Sequence, residues 1–282
     1  MGRFIAKGAE PSVAGSVVVP FQRLKDVARH PWQLLQWRHR HILFVADLDG
    51  VQNPAMTVWL YLAVSAGRGQ AHDRSGRQRV IGLAAGLRAG LGWLRDLQGA
   101  DRWRRFAERS IALPPPVTAP SSCRRAVFLR GDFARGVTIG GSIGHIAGVI
   151  NHLPREAGMP VLVTGETVPT VAPAIPQVRV VPPRRFWDLP DALAIAYSLP
   201  LAAAVIAAAR TAPGAGFLYQ RTSRSCIGGM IAARCCQLPL VSEYNGSEVW
   251  VETHWGGRRS SWSTLAERIE LANLKADRKS VV

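Results

Sequence analysis

Cysteine, lysine and acidic residues are all scarce in this sequence, and each shortage removes a class of protein. The four cysteines, Cys123, Cys226, Cys235 and Cys236, form no C-x-x-C pair. That spacing excludes the common zinc sites, and so few cysteines in 282 residues do not make a disulfide framework. Reduced thiols in a cytoplasmic protein are the consistent reading. Acids number 19 against 35 basic residues, a formal net charge of +16 that points to an anionic partner. Lysine supplies only 4 of those 35, and arginine 31. Beside so much alanine and glycine, this bias reflects genome composition as much as function. No helix-turn-helix, zinc finger or RNP aromatic pattern accompanies it, so nucleic acid is not the expected partner. No internal repeat of about 20–50 residues is present, which excludes solenoids and propellers. No cationic-then-apolar signal peptide opens the chain. A content of 48% hydrophobic and 19% charged residues excludes disorder for most of its length.

What is present is organised around Arg125–Leu153, RAVFLRGDFARGVTIGGSIGHIAGVINHL. The spacing predicts a buried strand over Ala126–Arg130, a flexible loop, a glycine cluster (Gly140, Gly141, Gly144) and a helix opening near Ile143. Ile143, Ile146, Ala147 and Ile150 recur at helical period. Strand, glycine turn and helix in that order build a ligand site at the carboxyl ends of an open α/β sheet. Glycines admit a ligand close to the backbone, and the first free N–H groups of the helix attract anions.

Before this stretch, residues 1–112 read as a basic mixed α/β leader. Ser16–Pro20 is a candidate edge strand and His41–Ala46 a second strand. Asp47 and Asp49 form a turn rather than a metal site. Helices are expected over Phe21–His41, over Asn53–Ala66 and from Leu83 to Arg109, with Gly67–Arg79 a polar loop. The first and last are basic and amphipathic. In the last, Leu87, Leu91 and Leu94 oppose Arg88, Arg95, Arg102, Arg104, Arg105 and Arg109, with Trp93 and Trp103 beside them. Two readings fit such helices: attachment to an anionic membrane surface, or packing on their own domain. Residues 113–122 are a proline-rich linker, leaving 123–282 as the second domain.

Within 123–282, strands are expected at Pro160–Thr164, Val178–Val181, Gly216–Gln220 and Leu238–Glu243. Between them lie an alanine-rich helix over Ala192–Ala209, capped by Asp191 and kinked at Pro200, and a helix over Ser225–Cys236. Ala192–Ala209 is uncharged over 18 residues, the lower limit for a membrane span; a buried crossover helix is the preferred reading. Thr264 with Glu267 predicts a capping box for a last helix. Strands alternating with helices imply a Rossmann-like parallel sheet flanked by helices.

Three strand ends are expected on one rim of that sheet. They are the glycine loop with Ser142 and His145, the segment Tyr219–Gln220–Arg221, and the loop Glu243–Tyr244–Asn245–Gly246–Ser247–Glu248. They offer N–H groups and a guanidinium for anions, and carboxylates and an amide for sugar hydroxyls. Glu243 and Glu248 are candidate bases or hydroxyl acceptors. Trp250, Trp255 and Trp262 either stack on a sugar or cover the sheet.

GGSIGHIAGVINHL followed by MPVLVTGE, and above all FLYQRTSRSCIGGMIAARCCQLPLVSEYNGSEVW, resemble the family-four retaining glycosyltransferases. The second segment matches their Y-x-R … G … A-R … P-L-V-x-E-x-N pattern. The resemblance covers Ala126–Ala276 and implies the N-terminal half of a GT-B fold. It also implies a nucleotide-sugar donor, a glycan or lipid-linked acceptor and no obligatory metal or cofactor. On this analogy Gly140, Gly141 and Ser142 approach donor phosphates or acceptor, and Arg221, Glu243, Asn245 and Glu248 line the acceptor side. Glu243 and Asn245 are the catalytic candidates, with His145 a neutral donor to a ligand oxygen. Such enzymes continue into a second Rossmann domain where this sequence reads ADRKSVV, so a truncated, inactive half is expected. A location in the cytoplasm, peripheral on the inner face of the membrane, goes with this reading. Two rivals remain. One is an NAD-binding oxidoreductase, for which Glu166 stands 22 residues after Gly144 although Ile139 breaks the G-x-G-x-x-G fingerprint. The other is a non-catalytic module that binds anionic surfaces.

Overall fold

The run Ala126–Arg130 is buried at every position, which requires that both faces of its strand be covered, as in a parallel sheet between helices. The structure, a computed structural model, describes residues 3–6, 17–20, 42–45, 69–72, 78–81, 83–114, 125–132, 140–153, 158–211, 214–255 and 260–277. The chain forms two compact units, Met1–Gly99 with Arg184–Asp188, and Ala100–Pro183 with Leu189–Val282.

In the first unit, β1 (Arg3–Ala6), β2 (Val17–Pro20), β3 (Ile42–Val45), β4 (Gly69–His72) and β5 (Gln78–Ile81) make one sheet in the order β2-β1-β3-β4-β5. All pairs are parallel except the β4–β5 hairpin. The expected edge strand appears as β2 and the second strand as β3. Gly67–Arg79 is not the polar loop expected: it holds β4 and the start of β5. Gly, Gln and His favour strands weakly, and pairing with β3 supplies what propensity lacks. The helices expected over Phe21–His41 and Asn53–Ala66, the acids Asp47 and Asp49, and residues 115–122 of the linker lie outside the described residues. Helix α1 (Leu83–Ala112) runs on from this unit into the second. In its first part Asp96 accepts hydrogen bonds from Arg185 Nε and the Phe186 N–H, each at 2.7 Å.

The second unit is a Rossmann-like α/β fold. Its strands and helices alternate: β6 (Ala126–Arg130), α2 (Gly141–His152), β7 (Val161–Thr164), β8 (Gln177–Arg179), α3 (Pro190–Arg210), β9 (Phe217–Arg221), α4 (Gly228–Cys236) and β10 (Leu240–Glu243), then α5 (Glu248–Trp255) and α6 (Ser263–Ala276). The sheet order is β10-β9-β6-β7-β8, every pair parallel. Alternation along β6 divides the core. Val127 and Leu129 join Ile195, Leu201, Val205, Met230 and Ile269 on one face. Phe128 joins Leu162 and the α2 residues Ile143, Ile146 and Ile150 on the other. Each such isoleucine contributes about 2 kcal/mol on burial.

Two local expectations need correction. Asp191 does not cap α3; Leu189 holds that position without a side-chain bond, and Asp191 turns to Arg224 and Ser225 instead. Pro200 lies inside α3, which continues through it from Pro190 to Arg210. Thr264 and Glu267 form no capping box, because α6 begins at Ser263, which leaves Thr264 inside the first turn and Trp262 at the cap without a side-chain bond. By length and composition α3 is apolar enough to cross a membrane, yet 61% of its most apolar window is buried inside the protein.

Candidate functional site

From β6 the chain crosses towards β7, and from its neighbour β9 it crosses the other way, towards β10. Loops diverging from adjacent parallel strands leave a crevice at their carboxyl ends, the switch point where open α/β sheets bind ligands. A cleft of about 260 Å³ opens there. It is lined by Gly131 and Asp132 after β6, Ser142 in the first turn of α2, Arg221, Thr222 and Ser223 at the end of β9, and Asn245, Gly246 and Glu248 after β10. Ser142, Arg221, Asn245 and Glu248 therefore share one wall-to-wall site. Gly140 and Gly141 are exposed at the mouth of α2. Gly140, at φ 142°, takes a backbone conformation that side chains disfavour.

Glu243 stands beneath this cleft as the hub of a hydrogen-bond cluster. Strand register sets Glu243 directly opposite Arg221. Its Oε1 accepts from Arg221 Nη1 and Asn245 Nδ2, both at 2.7 Å, and lies 3.2 Å from His145 Nε2. Its Oε2 accepts from the Tyr219 hydroxyl at 3.2 Å. The Glu243 side chain is only 9% exposed, whereas that of His145 is half-exposed. A carboxylate so fully engaged is fixed in place. In this geometry Glu243 fixes the Arg221 guanidinium and the Asn245 amide, both of which line the cleft.

The same contact perturbs Tyr219, which stacks on Phe128 with ring centroids 4.8 Å apart. Its phenol is pushed up to about 12, first by burial, then by the charge and hydrogen bond of Glu243, with Arg221 opposing. Because the folded value exceeds the ordinary 10, this group's contribution to stability is complete below pH 10 and is lost as pH rises towards 12. In Glu243→Gln the anion is gone and the Tyr219 midpoint is expected to fall towards that of a phenol perturbed by burial alone. Tyrosinate absorbance, with Tyr219→Phe subtracted, measures it; an unchanged midpoint refutes the contact.

Glu248, at the first turn of α5, accepts the Arg224 N–H at 3.2 Å. Desolvation raises its carboxyl above the usual range, as do the charges of Asp132 and Glu270, against the Arg224 bond. Glu270 is itself held by Tyr244 and Ser247. Among the described residues no group of three His, Cys, Asp or Glu side chains is placed to hold a metal ion. Trp250 and Trp255 do not cover the sheet: they are exposed on α5, Trp250 stacked on His254 at 4.2 Å. Trp262 packs against the core, with the Arg104 guanidinium 6.0 Å from its ring.

Sequence reasoning did not single out Asp132, Thr222 and Ser223 on the cleft wall. The first closely follows a predicted strand, so the strand-end rule applied to β6 finds it; Thr222 and Ser223 extend a segment cut two residues short. Arg224 carries no local signal, since its partners Asp191 and Glu252 are far along the chain. Chemically, the cleft offers one guanidinium, an amide, hydroxyls and two rim carboxylates. That set suits a ligand rich in hydroxyls with at most one or two anionic groups. No protein-family model, curated protein or solved structure matches this chain.

Proposed function

We propose that this chain carries the acceptor-side, Rossmann-like domain of a GT-B glycosyltransferase of the family-four retaining type, working in the cytoplasm. The complete enzyme, rather than this half alone, takes its sugar from a nucleotide-sugar donor and passes it to a hydroxyl of a glycan or lipid-linked acceptor. One observation carries the reading: Ser142, Arg221, Asn245 and Glu248, from three separate strand-end segments, line a single switch-point cleft. Arg221 meets an anionic group, Asn245 and Glu248 hydrogen-bond hydroxyls, and Glu243 holds the first two in position. The free N–H groups at the start of α2 add a weak anion site beside Ser142.

Isothermal titration of the full chain with nucleotide sugars and with simple glycosides tests this. Binding that Arg221→Ala and Asn245→Ala abolish supports it. Glu248→Gln separates binding from folding. The raised carboxyl means the neutral amide suits the site as well at pH 7, so the melting temperature is expected to hold or rise. Affinity is expected to fall about tenfold through the lost charged acceptor.

The dinucleotide reading keeps one observation in its favour. Glu166 follows β7 directly, where a ribose-binding acid sits in such folds. Against it, residues 131–139 separate β6 from the Gly140 turn, where a dinucleotide fold has a tight glycine turn. Saturable NAD(H) binding, without binding of any nucleotide sugar or glycoside, overturns the transferase proposal.

A further inference from the structure

The first four turns of α1 are amphipathic with the apolar side outward. Leu87, Leu91, Leu94 and Leu97 are 60%, 58%, 53% and 40% exposed, and Trp93 beside them is 38% exposed. Leu87, Leu91 and Leu94 follow at i, i+4 and i+7, one face of a helix. The side away from Leu87, Leu91 and Leu94 carries the buried Asp96 and Ala100. Asp96 is the one acid between Leu83 and Ala100, and it is withdrawn from the surface by Arg185 and Phe186. Arg88 and Arg95 are exposed along the edge of the leucines. Asp101, one turn beyond the leucines, is an exposed acid with Arg102 beside it.

We propose that the face formed by Leu87, Leu91, Leu94 and Leu97 lies in the headgroup layer of an anionic lipid bilayer, with Arg88 and Arg95 on lipid phosphates. Leucines flanked by arginine, with the local acid turned inward, match the charge and depth profile of such an interface. The arginines exclude a membrane-spanning placement. They also disfavour a second copy of this chain as the occupant, since a two-fold contact through this face brings like charges together around its seam. The proposal is independent of what the cleft binds.

Co-sedimentation of the full chain with vesicles tests it, using phosphatidylglycerol mixed into phosphatidylcholine against phosphatidylcholine alone. The full chain is expected to pellet with the anionic vesicles at low salt. Leu91→Glu/Leu94→Glu is expected to weaken binding about tenfold or more. Arg88→Gln/Arg95→Gln is expected to weaken it roughly tenfold to thirtyfold and to flatten the salt dependence. All four positions are exposed, so melting temperatures near wild type are expected and confirm that folding is not the cause. Failure of the full chain to pellet overturns the proposal, as does equal pelleting by the leucine variant. So does a wild-type dimer on size exclusion that the leucine variant converts to monomer without any vesicle binding.

Discussion

An Asp191→Ala variant is expected to lose about 3–5 kcal/mol of stability, the usual result of removing one partner from a buried ion pair. Asp191 is 4% exposed in the first turn of α3. Its Oδ1 accepts from Arg224 Nε at 2.7 Å and from the Ser225 hydroxyl at 2.6 Å, and its Oδ2 accepts from Arg224 Nη2 at 3.2 Å. Arg224 continues through Nη1 to Glu252 on α5 at 2.7 Å. Burial alone would lower the guanidinium's hold on its proton; the bonds to Asp191 and Glu252 outweigh it and raise it. Truncation at 191 therefore removes two of the guanidinium's bonds, leaving Glu252 as its one carboxylate partner, and leaves the buried Ser225 hydroxyl without its acceptor. It also frees Ser225, whose φ of 58° is left-handed and is held there by the bond to Asp191. At about 2–4 °C per kcal/mol for a unit of this size, the melting temperature falls by about 10 °C. Asp191→Asn keeps an acceptor and is expected to lose about half as much. Calorimetry on the two variants decides: an Asp191→Ala midpoint within about 2 °C of wild type removes the network from the account of stability.

Gly229→Ala is the second large effect, expected at about 3 kcal/mol. The N–H of Gly229 donates to Gln220 Oε1 at 2.8 Å, so the first turn of α4 is pressed onto β9. A methyl group on Gly229 would fall inside the Gln220 carboxamide, with Cδ at 2.9 Å and Cβ at 3.3 Å. The amide has no room to yield. Gln220 is fully buried, and its Nε2 donates to Asn273 on α6, which in turn donates to the carbonyls of Cys226 and Ile269. Overpacking accounts for about 1–3 kcal/mol, and a displaced buried amide for about 1–3 more. Gly148→Ala provides the opposite sign. Nothing lies within 4 Å of its added methyl, and alanine in mid-helix is favoured by about 1 kcal/mol. Urea midpoints of the pair measure both; a Gly229→Ala variant as stable as wild type rejects the packing argument.

The sequence was most legible where burial alone dictates pattern. Uninterrupted apolar runs at Ala126–Leu129 and Val161–Val163 require strands covered on both faces, and the isoleucine period of α2 leaves one helix face to bury. The site was legible for the same reason, because parallel strands put their following loops on one rim, where Ser142, Arg221, Asn245 and Glu248 meet. What escaped depends on partners distant in sequence. Asp191 reads locally as a cap, but an arginine 33 residues away outcompetes the backbone N–H groups for its oxygens. Gly69–His72 has no strand propensity, and only pairing with β3 and β5 makes it one. The role of Glu243 was blurred likewise: its charge was visible, but the number of donors sharing it was not.

Arg234 on α4 gives the C-terminal end of α1 an unusual finish. Its Nη1 donates to the Ser110 carbonyl at 2.6 Å, its Nη2 to Leu113 at 2.7 Å and its Nε to Pro114 at 3.0 Å. Helix ends ordinarily fray because their last carbonyls lack donors. In this protein the loosening of that last turn must first pull a guanidinium off three oxygens. Amide protons there are accordingly expected to exchange with deuterium only when α4 itself opens, so that two elements far apart in the chain behave as a single cooperative foldon.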